Sequence, residues 1–188
     1  NIPSSQDHLS TVLEAMKSNN MLHITFKAFT MKEPKRFLVE PYCVKMSAQR
    51  WYMLARNTEH KNLRLYSLDR IETVEISNTR FVLPDDFNAK DYFAEFFGIV
   101  LDESVPLQTI ILRADKYHQN YMRTLPLHPT QREIFACDDY ADFELKLRPT
   151  YDFYMKLMSF GNMIKVLEPK NLQEEICKWL ENTIEMYR

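Results

Sequence analysis

The sequence predicts an α+β protein in two parts: a small, strongly bent sheet or barrel, then a four-stranded sheet with its helices on one face. Three observations predict it. Five short β-like segments crowd into about 60 residues with only polar turns between them. After residue 106 the order becomes strand, helix, two strands, helix, strand and helix, which is the split βαβ succession. Between the two lies an aromatic stretch, "PDDFNAKDYFAEFFGIV", followed by a short linker, "LDESVP".

In order along the chain, Leu9, Val12, Leu13 and Met16 recur at helical spacing, with Ser5 or Asp7 available as the cap and "SNN" as the stop. This gives a linker helix over residues 1–20. "HITFKAF", "KRFLVEPYCVKM" with a bend at Pro41, "RWYMLAR", "LRLYSL" and "IETVEIS" are the five strands of a domain over 21–82. Residues 83–106 form a connecting helix and linker, in which Phe87, Tyr92, Phe93, Phe96 and Phe97 share one helical face. Over 107–188, "LQTIILR", "REIFAC", "YADFELKLR" and "MIKVLEP" are strands. "DKYHQNYMRTL" is a helix capped by Asp115, and "PTYDFYMKLMSFGN" is a helix capped by Thr150 and ended by a left-handed Gly161. Leu172, Ile176, Trp179, Leu180 and Ile184 define a last amphipathic helix.

Composition narrows the function. No window approaches the roughly 18 apolar residues of a membrane span, and residues 1–20 lack the apolar run of a secretory signal. A soluble protein is expected. Cys43, Cys137 and Cys177 have no CxxC spacing and read as free thiols of a reducing cytoplasm. The five histidines never fall at metal-ligand spacing, and Gly98 and Gly161 are the sole glycines, so no phosphate loop or nucleophile elbow is present. The "DD" pairs at Asp85 and Asp138 suit turns. Neither an enzyme nor a cofactor is expected. The net charge of −2 hides an asymmetry: residues 22–80 carry 11 Lys and Arg against 6 Asp and Glu, while the remainder carries 13 against 20. The first half can face an anion.

The candidate site lies in "QRWYMLARNTEHKNLRLYSLDRI". In a hairpin, Arg56 and Arg64 fall near the loop and can converge, with Tyr52 and Tyr66 behind them. Guanidinium forks grip phosphate and rings stack on bases. The same alternation also suits a solvated sheet face, and the residues alone leave both readings open.

"RWYMLAR", "RFLVEPYCV" and the run Arg64 to Ile71 together resemble the bacterial WYL-domain proteins, named for a Trp-Tyr-Leu triplet. Here the triplet is Trp51-Tyr52-Met53, with Leu54 one step later. "MRTLPLHPTQREI", "FELKLRPTYDF" and "LMSFGNMIKVLEP" resemble the C-terminal extension that follows such domains. The resemblance implies an Sm-like, SH3-type β-barrel followed by a ferredoxin-like domain. It implies a cytoplasmic homodimer that senses single-stranded DNA, an oligonucleotide or a nucleotide, with no membrane partner. Arg64 and Arg70 are the implied phosphate-binding positions, joined by Arg56 and Tyr52, with Tyr66 as a second stacking ring. Asp69 is expected to orient Arg70 or a turn. Promoter DNA would be read by a helix-turn-helix module upstream, and the first residue, Asn1, suggests that this module was trimmed away. The alternative is a structural dimerisation module without a small ligand.

Overall fold

A computed structural model describes residues 6–188, and the side chains of residues 8–188. The chain divides into two compact units between Ala89 and Lys90. Among the described residues no helix is long and apolar enough to cross a membrane.

The first unit opens with α1 (Gln6–Ser18). Val12 and Ala15 are fully buried, and Leu9 and Met16 pack beside them, whereas Leu13 is turned outward. Of the two expected caps, Ser5 lies outside the described residues and Asp7 lies within the helix. Asn19 ends the helix at φ +54, a left-handed position that asparagine tolerates.

Five strands follow: β1 (Asn20–Phe26), β2 (Lys35–Ser47), β3 (Arg50–Asn57), β4 (Leu63–Ser67) and β5 (Ile71–Arg80). They form one antiparallel sheet in the order β4-β3-β2-β1-β5. β4 and β5 are its edges, separated in sequence by the 3-10 turn Leu68–Arg70. No ladder joins these edges, so the strands make an open sheet and not the closed barrel anticipated; β4 has only five residues, and β5 takes its partner from β1. Leu22, Ile24 and Phe26 of β1, Val39 of β2, Met53 and Ala55 of β3, and Tyr66 of β4 share a core with α1. Each large apolar side chain buried there contributes about 1.5–3 kcal/mol.

Pro41 does more than bend β2. Between Pro41 and Cys43 the register shifts, so that two residues of β2 stand against one of β3. Before the bulge Val39 faces the core; after it Val44 does, opposite Met53. Tyr42, beside the bulge, stacks on Phe81 and meets Phe87 edge-on at 4.9 Å.

The stretch 84–100 is not one long helix. Only α2 (Ala89–Phe93) is helical, and its aromatic neighbours separate: Phe87 packs on Tyr42, while Phe97 packs on Phe153 at 5.4 Å. The physical reason is that the following backbone finds its partners on other elements. Asp152 Oδ2 accepts from the N–H groups of Ile99 and Val100 at 2.6 and 2.8 Å. Arg148 pairs with Glu95 and donates to the carbonyls of Glu103 and Val105.

The second unit continues with β6 (Gln108–Asp115), α3 (His118–Thr124), β7 (Arg132–Ala136), β8 (Tyr140–Leu147), α4 (Tyr151–Met158), β9 (Ile164–Glu168) and α5 (Lys170–Glu185). Its antiparallel sheet has the order β7-β8-β6-β9. Ile110, Leu112 and Ala114 alternate along β6 and face a core completed by Met122, Phe153, Leu157 and Leu172 from the helices. Asp115 accepts from the N–H groups of Tyr117 and His118, which holds its carboxyl below the usual range. Thr150 occupies the N-cap position of α4, but its hydroxyl makes no capping bond. Gly161 takes φ +58 after α4, as a left-handed terminator should. On α5 the expected apolar face is buried at Leu172, while Leu180 and Ile184 are exposed.

Gly98 sits at φ +80, and a Cβ there would lie 2.4 Å from Asp152 Oδ2. Gly98→Ala should combine backbone strain with displacement of the carboxylate that holds Ile99 and Val100, a loss of about 2–4 kcal/mol. Urea unfolding compared with the native chain checks this; an unchanged midpoint would mean that the strap is dispensable.

Candidate functional site

Strand register decides which of the arginines meet. Ala55 pairs with Arg64 and Arg56 with Leu63, and Met53 pairs with Tyr66 and Tyr52 with Ser67. Residues opposed in an antiparallel ladder share a face and neighbours in a strand do not. Arg56 and Tyr52 therefore lie on one face of the hairpin, and Arg64 and Tyr66 on the other. The convergence of Arg56 with Arg64 does not occur. Arg56 instead reaches Glu40 at 3.5 Å, a carboxylate that also accepts from Tyr42. Tyr52 is 6% exposed.

Arg64 and Arg70 flank a common aromatic pair. The Arg70 guanidinium lies over Phe26, 5.6 Å from its ring centre, and over Phe29 at 4.8 Å. Phe26 meets Tyr66 edge-on at 5.1 Å. Arg64 lies two residues from Tyr66 on the same face of β4; burial pushes the Tyr66 pKa up, against the Asn57 hydrogen bond and the Arg64 charge, which favour ionisation of that phenol. Arg64 donates from Nε to Asn62.

Charge pairing separates the arginines of this unit. Arg36 pairs with Glu75, Arg50 with Asp69 and Arg56 with Glu40. Arg64 and Arg70 make no ion pair among the described residues, and Arg70 Nε is buried without a hydrogen-bond partner. Asp69 does not orient Arg70: it accepts from the Ser67 hydroxyl and holds Arg50. The backbone of Arg70 is fixed by its carbonyl, which accepts from Lys27 N–H at 3.2 Å.

Tyr66 belongs to the core. It is 2% exposed, and its hydroxyl accepts from Asn57 Nδ2 at 3.0 Å. Stacking a base on it would require expelling Phe26 or Phe37. The accessible ring is Phe29, 83% exposed. Sequence reading placed Phe29 at the end of the first strand, but β1 stops at Phe26 and leaves it in the loop before β2. Asn57 was also missed. Fully buried, it accepts from the N–H groups of Glu59 and His60 and so shapes the turn that leads to Arg64; the Asn-Thr turn chemistry of "NTEHKN" was its signal. No group of His, Cys, Asp and Glu among the described residues could hold a metal ion.

The WYL domain model matches residues 7–76, covering α1 into β5, and the WCX domain model matches residues 106–184, from β6 into α5. The chain carries a WYL domain followed by a WCX domain. A crystal structure described as a CRISPR Cas-related protein shares its fold, with TM-score 0.61 and 15% identity over 97% of this chain. Proteasome accessory factor B/C of Arthrobacter aurescens matches at 20% identity over 93% of this chain, with TM-score 0.45. The WYL–WCX chain spans 52% of the former and 26% of the latter. None of the curated proteins compared matches it.

Two outcomes follow from this arrangement of the WYL unit. Tyr66→Phe keeps the ring but strands the buried Asn57 amide, so stability to urea should fall by about 1–3 kcal/mol; no loss would remove Asn57–Tyr66 as an anchor of the turn. Cys43 is a different case, since burial pushes its thiol pKa from 9.0 up to about 11. At pH 8 a thiol reagent should label the exposed Cys137 and Cys177 well before Cys43. Because the folded state holds the Cys43 proton more tightly, its contribution to stability is complete below about pH 9 and is lost as pH rises toward 11. Mass spectrometry of the labelled protein reads the order directly.

Proposed function

We propose that this chain is the effector-sensing and oligomerising region of a bacterial WYL-family transcription regulator, and that its ligand is nucleic-acid-like: single-stranded DNA, an oligonucleotide or a nucleotide. The observation that carries this reading is the pair Arg64 and Arg70, the two arginines around Phe26 and Tyr66 that no carboxylate neutralises. Guanidinium groups left with donors to spare suit phosphate oxygens, and the exposed Phe29 ring under Arg70 supplies a stacking surface for a base. Arg56, tied to Glu40, would join only if a ligand displaced that carboxylate. Tyr52 and Tyr66 shape the sheet beneath the ligand and do not stack on it.

A helix followed by a bent sheet in the order β4-β3-β2-β1-β5 supports an Sm-like unit, and the order β7-β8-β6-β9 with α3 and α4 between its strands supports a ferredoxin-like one. The regulator acts in the cytoplasm as a homodimer on promoter DNA through a helix-turn-helix module, so that paired readers match a palindromic site. Ligand shifts operator affinity by binding one dimer arrangement better than the other. Exposed apolar side chains on α3 and α5, among them Tyr121 and Ile184, support self-association.

Binding of short labelled single-stranded DNA and of a nucleotide panel, measured at about 50 and 200 mM salt, tests the site. Affinity should fall as salt rises, and Arg64→Ala or Arg70→Ala should weaken it about 10- to 100-fold and flatten the salt dependence. Absence of binding at low salt, or variants that bind unchanged, would show that the arginines serve another purpose. Light scattering on the same variants separates a structural role, in which the oligomer would come apart with no ligand present.

A further inference from the structure

A cleft of about 510 Å³ opens in the second unit, between the segment before β6, the start of α4 and the first half of α5. Two polar atoms at its lining are buried and unsatisfied: Gln108 Oε1 and Thr150 Oγ1. Thr150 is only 3% exposed, and its hydroxyl is the one that declines to cap α4. An unsatisfied buried polar group costs about 1–3 kcal/mol, and such groups are few in a native fold. Two in one cleft indicate a site whose hydrogen bonds are completed by a guest that brings donors.

The charge and the walls of the cleft narrow the guest further. Asp102, Glu174 and Glu175 line it against a single ammonium, Lys178. Lys178 stands 3.9 Å from Glu175, and Lys170 reaches Glu174 from outside the cleft at 3.7 Å. Both pairs are long and solvent-exposed, so they neutralise little. The start of α4 adds about half a positive charge, which three carboxylates outweigh. One wall is aromatic: Tyr154 stacks on Trp179 at 5.2 Å, and Tyr151 lies 5.6 Å from the same indole. The Trp179 N–H donates to Glu175, which sets a carboxylate at the edge of the ring. Burial and then the Glu175 charge push the Tyr154 phenol up, so the negative field reaches the aromatic wall.

We propose that this cleft binds a small organic cation, an amine or a guanidinium. Its N–H groups donate to Gln108 Oε1 and Thr150 Oγ1, its charge is balanced by Glu174 and Glu175, and its body lies against Tyr154 and Trp179. The site is separate from Arg64 and Arg70, carries the opposite sign, and stands whether or not the first unit binds a phosphorylated ligand.

The probe is agmatine, which carries both a guanidinium and an amine, titrated calorimetrically into the full chain; methyl glucoside and AMP serve as neutral and anionic controls. Agmatine should bind saturably and the controls should not. Glu174→Gln combined with Glu175→Gln should weaken agmatine by about tenfold or more, while the Trp179 partner is kept. Thr150→Val should weaken it comparably, and thermal melts without ligand establish that both variants fold. The proposal is overturned if agmatine gives no saturable heat up to about 10 mM, if folded variants bind it as the native chain does, or if methyl glucoside or AMP binds in its place.

Discussion

The first unit depends on one extra residue in β2. Proline has no N–H to give to a ladder, and just past Pro41 the pairing with β3 slips, so that β2 changes the face it presents while β3 does not. Without that slip, Val44 would turn away from Met53, and the core would lose one of its walls. With it, Val39 and Val44 both point inward despite their odd spacing, and Tyr42 is free to pack with Phe81 and Phe87. The face assignment then propagates strand by strand. β3 puts Met53 and Ala55 inward, and β4 follows with Tyr66 and Arg64 on the same side. Arg64 stands beside a buried aromatic cluster through its pairing with Ala55, on the face that β2 keeps toward the core on both sides of the bulge.

Local signals in the sequence identified nearly every element, because alternation and helical spacing are properties of neighbouring residues. They placed all nine strands and the helices of the second unit within a few positions. What escaped was set by partners distant in sequence. The aromatic run through Phe87 and Phe97 has helical spacing, yet Asp152 and Arg148 hold the adjoining backbone in turns, and the rings go to different neighbours. Arg56 and Arg64 appeared able to converge because their distance from the turn was legible, whereas the register that puts them on opposite faces was not. Phe29 reads as strand because it closes the β-like run "HITFKAF", and only the end of the ladder with β2 reveals it as an exposed ring.

The same limit applies to charge. An excess of cations over residues 22–80 says that some of them lack acids, but not which. Geometry makes that selection: Glu75, Asp69 and Glu40 each take one arginine, and of the three that remain Arg64 and Arg70 lie around Phe26 and Tyr66 while Arg80 ends β5. An arginine with a carboxylate at hand contributes little to binding an anion, since the ligand must first compete with that partner. One whose donors are free and whose plane rests on an aromatic ring is already oriented, so less rotamer entropy is lost when a phosphate arrives.

In the second unit the local charge has the opposite sign, and hydrogen bonding takes the place of charge pairing. Thr150 has a residue type suited to capping a helix, and it sits at the capping position, yet its hydroxyl is left without a partner, as is the Gln108 carbonyl oxygen in the lining of the same cleft. A threonine in that place would ordinarily turn its oxygen onto the helix N–H groups, which is worth about 1 kcal/mol. The residue that forgoes that bond and buries its oxygen is one that lines the cleft. The acid surplus outside residues 22–80 then acquires a location, in the carboxylates of α5 around Trp179. The small net charge of the chain is the sum of two local fields of opposite sign, one in each unit, and each field collects around aromatic rings that give a charged ligand a surface to rest on.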